Sequence, residues 1–176
     1  FFMRWRDWKW AIKKTLTHPK RDEEQRDIYK KKISNCLKEN RPIVYIDESG
    51  FAVDSPRNRG YSPIGHRCYG SHNWHEKGRK NVIGALLGKQ LIAASVYETN
   101  VNADIVLSWA KDVLLPSLPE KSVIVLDNAS FHKRQDFKDS ISSQQHTLLY
   151  LPPYSPDLNP IEKKWAQIKS IRRKFK

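Results

Sequence analysis

Ile43-Val44-Tyr45-Ile46-Asp47 and Val123-Ile124-Val125-Leu126-Asp127 decide the fold. Each is a short unbroken apolar run that stops at an aspartate. A run of that length, Ile43 to Ile46 after Pro42 in one case and Ser122 to Leu126 in the other, predicts a strand covered on both faces. Each aspartate then sits at the rim of the core. Two further strands are predicted at Val82 to Leu87 and Leu91 to Tyr97, joined by a Gly88-Lys89-Gln90 turn, and a fifth at Thr147 to Leu151.

The helices fall between and around these runs. Asp22 to Glu39 places Tyr29, Ile33, Cys36 and Leu37 on one face, with Gln25 three residues after Asp22 as in a capping box. Asn102 can cap a helix carrying Ile105, Val106, Trp109 and Val113, which Pro116 closes. A polar helix is expected at about Lys133 to Ser143, and a last one from Pro160, after the loop Pro152 to Asn159. Residues 54–80, rich in Gly, Pro, Asn, Arg and His, suggest turns and a hairpin. The order is an antiparallel meander of three strands, then helix, strand, helix, strand, helix. This predicts a mixed α/β architecture on one five-stranded sheet flanked by helices. A crossover from the third strand can lay the fourth parallel to the first, which would set Asp47 and Asp127 side by side at the carboxyl ends of adjacent strands.

A chain of 176 residues is long enough for one domain with a real core. The net charge of +13 favours a polyanionic partner, nucleic acid before anionic membrane. No apolar run approaches the roughly 20 residues needed to cross a bilayer. Two cysteines, Cys36 and Cys68, are too few for a disulfide framework, and a reducing cytosol is the expected compartment. Residues 1–21, basic and rich in Trp (Trp5, Trp8, Trp10), read as the tail of an upstream segment or a linker, and residues 22–176 as the globular domain.

An aspartate at the rim of a core is costly to ionise unless a cation or donor compensates. A divalent ion such as Mg²⁺ does so through oxygen ligands. Aspartate after a strand is also a common turn or cap residue, so either one alone says little. A third acid, Glu162 in Asn159-Pro160-Ile161-Glu162-Lys163-Lys164-Trp165, strengthens the reading. For it a structural role is equally open: Asn159 as N-cap, Pro160 as N1 and Glu162 as N3 would make a capping box, and a first-turn glutamate suits the helix dipole.

The sequence resembles the catalytic domain of the mariner-like DDE transposase superfamily, in particular its bacterial insertion-sequence branch. The resemblance rests on Ile46 to Phe51 (IDESGF), Leu126 to Lys133 (LDNASFHK), Leu151 to Trp165 (LPPYSPDLNPIEKKW) and Asn81 to Leu87 (NVIGALL). Thirty-four residues, 128 to 161, separate Asp127 from Glu162, the spacing associated with Asp-Asp-Glu members. It covers roughly residues 20–173. It implies a ribonuclease-H-like fold and a site of two Mg²⁺ or Mn²⁺ ions on Asp47, Asp127 and Glu162. It further implies cut-and-paste movement of double-stranded DNA, with hydrolysis at transposon ends and strand transfer into targets, usually TA. By analogy a homodimer would synapse two ends. Family members carry helix-turn-helix modules ahead of this domain, of which residues 1–20 hold at most a remnant.

Supporting roles are weaker. His132 could contact the scissile phosphate or simply begin a helix, and Asn128 could bond the site or make the turn. Strand alternation turns Glu48 away from Asp47. Arg57, Arg59, Arg67, Arg79 and Lys80, with Lys77 and aromatic residues among them, suit phosphate contact and stacking, as do Lys133, Lys163 and Lys164; a solvated charged loop is the plain alternative. Trp165, Ile168 and Ile171 are expected in the core. A zinc site at Cys68, His72 and His75 fits no standard spacing. The sequon Asn128-Ala129-Ser130 is read as chance. Two other functions remain open: a ribonuclease-H-like nuclease without strand transfer, and a non-catalytic DNA-binding remnant.

Overall fold

The computed structural model describes residues 18–52, 61–69, 78–128 and 134–175. Its strands are β1 (Ile43–Ala52), β2 (Arg79–Leu87), β3 (Gln90–Tyr97), β4 (Val123–Leu126) and β5 (Thr147–Tyr150). They form one five-stranded sheet in the order β3-β2-β1-β4-β5. β1, β2 and β3 make an antiparallel meander, while β4 joins β1 in parallel and β5 joins β4 in parallel. This is the expected mixed sheet. One strand differs from expectation: β1 does not end at Asp47 but runs on to Ala52, because β2 starts early, at Arg79, and pairs with it along that whole length.

The helices are α1 (Glu23–Lys38), α2 (Ala103–Trp109), α3 (Leu115–Ser117), α4 (Gln135–Ser142) and α5 (Ile161–Lys174). Asp22 caps α1 by accepting from the Gln25 backbone N–H, and Asn102 caps α2 by accepting from that of Ile105. A π-helical segment, Ala110–Leu114, links α2 to α3, so Pro116 lies within the last turn instead of after it.

Alternation along the strands divides the core in two. Val44 and Ile46 of β1 and Ile124 and Leu126 of β4 face Val106, Trp109, Leu114, Phe137 and Ile141 on one side of the sheet. Ile43, Val123 and Val125 face Tyr29 of α1 and Leu151 on the other. Beside them, on that second side, Leu86 packs with Ile161 and Trp165 of α5. Both faces are therefore covered, which is why β4 can be apolar at every position.

The loop between β5 and α5 is fastened to α1. Arg26, only 3% exposed, donates two hydrogen bonds to Asp157, at 3.0 and 2.6 Å. Tyr154, in the left-handed region at φ 53°, stacks on His18 with ring centroids 3.8 Å apart. These contacts hold the segment that leads into α5. The Arg26 guanidinium keeps the Asp157 carboxyl below the usual carboxylate range. A depressed acid stabilises the fold above the unfolded-state pKa, about 3.9, and that contribution is lost as pH falls through the folded value. Asp157→Asn should therefore cost about 1–3 kcal/mol in urea unfolding at neutral pH, since it weakens a charged bidentate bond to a buried cation. The gap from wild type should close as pH is taken below about 3.9. A gap that persists in acid would assign the effect to packing.

Candidate active site

Register and alternation bring the two aspartates together. β1 and β4 pair Val44 with Ile124 and Tyr45 with Val125. Continuing that register two residues sets Asp127 across from Asp47, and neighbouring strands lie about 4.8 Å apart. Both have the parity of Ile43 and Val123, so both emerge on the face that carries α1 and α5. Glu48 takes the opposite parity and leaves the site, as expected. Glu162 stands in the first turn of α5 on that same face. Asp47, Asp127, Glu162, Asn128 and Asn159 line a single cleft, walled by the Pro152–Pro156 loop.

The acids differ in setting. Asp127 and Glu162 are exposed, while Asp47 is partly buried. Burial, and next the charge of Glu162, push the Asp47 carboxyl up to about 7. Trp165, one turn beyond Glu162, opposes this by donating its indole N–H to Asp47 Oδ2 at 3.0 Å. Trp165 is also core, 3% exposed and packed with Leu86 and Ile161. Its ring has room because Gly84 is the cross-strand partner of Asp47. A Cβ at Gly84 would lie 2.6 Å from the indole ring. The sequence reading put Trp165 in the core and missed its bond to Asp47. An i, i+3 offset from Glu162 and a glycine inside an apolar strand were the available signals.

Among the described residues, no group of three or more His, Cys, Asp or Glu side chains is close enough to hold a metal ion. The backbone brings the three acids to one cleft, but their carboxylates do not converge there. Like charges keep such groups apart, and a divalent cation supplies the compensation that would draw them together. The donors suit a hard ion: they are carboxylates, supplemented by the Asn159 amide, whose Oδ1 is buried with no hydrogen-bond partner among the described residues. Oxygen-only ligation fits Mg²⁺ or Mn²⁺.

The capping reading of α5 is corrected. Asn159 is extended (φ −105°, ψ 101°) just before the helix, yet the helix start has no side-chain cap bond. Of the basic residues, Arg79 and Lys80 lie on β2 and not in a loop, and Lys80 pairs with Glu98 at 3.0 Å. Arg67 and Lys163 are exposed, and Lys164, half-buried, bonds Gln167. Arg57, Arg59, His132 and Lys133 lie outside the described residues, as do His72 and His75 of the zinc reading.

Comparison with known proteins bears on this arrangement. Residues 42–176 match the family described as DDE superfamily endonuclease. No curated protein sequence matches significantly. Among solved structures, a pre-cleavage Mos1 transpososome superposes with a TM-score of 0.72 at 17% identity, covering 92% of this chain and 53% of the other. A mariner Mos1 paired-end complex with Mg gives 0.67 at 19% identity, covering 86% and 49%. The catalytic domain of Mos1 mariner transposase gives 0.60 at 14% identity, covering 88% and 76%. The chain thus spans about half the length of the full Mos1 chains. These likenesses establish the ribonuclease-H-like fold expected from the sequence.

The contact between Gly84 and Trp165 is directly testable. Gly84→Ala should displace the indole and cost about 1–3 kcal/mol as an overpacked site. Trp165→Phe, which keeps an aromatic ring and loses the N–H, should relieve much of that penalty when combined with it. Additive destabilisation in the double variant, measured by urea unfolding, would show that the two residues are not coupled.

Proposed function

The chain belongs to the DDE superfamily of endonucleases, and from that membership we propose that it is the catalytic domain of a transposase of the mariner-like superfamily, in its bacterial insertion-sequence branch. The observation that carries this reading is the matched register of Asp47 and Asp127 on parallel β1 and β4, in one cleft with Glu162. Asp47, Asp127 and Glu162 would hold divalent ions, Mg²⁺ or Mn²⁺ and two in number. Bound there, such ions activate the attacking oxygen and stabilise the leaving one.

The protein's own side chains do the rest. Trp165 fixes one oxygen of Asp47. Asn128 lines the cleft beside Asp127, and His132 follows it in sequence as a contact to the scissile phosphate. Arg57, Arg59, Arg67, Arg79, Lys80, Lys133, Lys163 and Lys164 would bind the DNA backbone. Water first attacks a phosphodiester at the transposon end: its oxygen bonds to phosphorus and the departing 3′-oxygen takes up a proton. The freed 3′-hydroxyl then attacks a target phosphodiester, at TA, and displaces the target's own 3′-oxygen. Two copies of the chain would synapse the two ends, in the bacterial cytoplasm on the nucleoid. Residues 1–21 would belong to a linker or DNA-recognition region ahead of a catalytic domain at 22–176.

With pre-cut element ends, target plasmid and Mn²⁺, the chain should yield joined products. Cleavage without joining would favour a nuclease on the same fold, and no cation-dependent cleavage would leave only a DNA-binding remnant. Glu162→Gln should lower cleavage about 100-fold or more. As an exposed substitution it should change the unfolding free energy by less than about 0.5 kcal/mol. Full activity in that variant would remove Glu162 from the site.

A further inference from the structure

We propose that Asn159 is a fourth oxygen ligand of the divalent-cation site, binding through its side-chain carbonyl; the inference rests on the reading of Asp47, Asp127 and Glu162 as that site. Asn159 is 4% exposed, and its Oδ1 is buried without a hydrogen-bond partner among the described residues. It lines the same cleft as the three acids. A buried acceptor left unpaired costs about 1–3 kcal/mol. The backbone of Asn159 is already satisfied, with its N–H donating to Pro156 O at 3.0 Å and its C=O accepting from Glu162 N at 3.3 Å. The side chain makes no cap bond to α5, the structural role its position would otherwise suggest.

The chemistry of the atom narrows its partner. An amide oxygen only accepts, so a phosphate oxygen, itself an acceptor, cannot satisfy it. A hard cation can, and neutral amide oxygens are regular ligands of such ions beside carboxylates. The setting is stiff. Pro160 follows Asn159 directly, and the bonds from Arg26 to Asp157 hold the preceding turn. A ligand fixed in this way loses little freedom on binding. It also adds no negative charge to a cleft that already holds three acids.

The test is Mn²⁺ binding to the 176-residue chain without DNA, followed by Mn²⁺ electron paramagnetic resonance, with thermal unfolding in EDTA as the second readout. Asn159→Leu should weaken Mn²⁺ affinity roughly 10-fold or more, and its melting temperature in EDTA should equal or exceed that of wild type. Asn159→Asp, which retains an oxygen at the same place, should bind Mn²⁺ at least as tightly as wild type. Wild-type affinity in Asn159→Leu would overturn the proposal, as would a lower melting temperature in EDTA with unchanged affinity. If Asn159→Leu does not fold, weakened binding in Asn159→Asp overturns it. Failure of the underlying reading looks different: wild type itself would then bind no Mn²⁺, or Asp47→Asn would bind it undiminished.

Discussion

The parallel pairing of β1 with β4 is the constraint on which the site depends. In a two-sided sheet, alternation decides which face a side chain serves, and register decides how far along it stands. The pairing of Tyr45 with Val125 fixes both for Asp47 and Asp127. A slip of one residue in either strand would send one aspartate to the face occupied by Trp109 and Phe137. The apolar residues of β4, buried at all four positions, are what oppose such a slip. Core packing and site geometry are thus one specification, written in the same ten residues.

The remaining parts are arranged around that pair. α5 covers the sheet with Ile161 and Trp165, and the helix turn that does so also presents Glu162 to the cleft. The Trp165 indole reaches Asp47 only because the strand beside it carries glycine. The segment entering α5 is anchored through Arg26 and Asp157 to a helix far away in sequence. A carboxyl raised to about 7, chiefly by burial, and a buried amide oxygen without a partner among the described residues are each unfavourable for folding alone. Such local conflicts concentrate at functional sites, where a bound ion can relieve them.

Much of this was legible in the sequence. The apolar runs before Asp47 and Asp127 announced the central strands, and Asp22 and Asn102 marked helix starts that the structure keeps. The placement of the three acids in one cleft follows from topology already implied by strand order. What escaped has a common physical character: it depends on contacts between residues distant in the chain. No local pattern ties Arg26 to Asp157 or Gly84 to Trp165. The extension of β1 past Asp47 was hidden because the start of its partner, Arg79 and Lys80, looks like loop by composition. The cap expected of Asn159 was misread for a different reason, since sequence offset predicts where a capping side chain stands but not whether it turns toward the helix.

The central claim is that the three acids share divalent ions. Anomalous diffraction from crystals of the chain soaked in Mn²⁺ tests it most directly. The account predicts manganese peaks in the cleft, about 2 Å from carboxylate oxygens of Asp47, Asp127 and Glu162. Peaks confined to other surfaces, with the cleft free of manganese in well-ordered density, would contradict it.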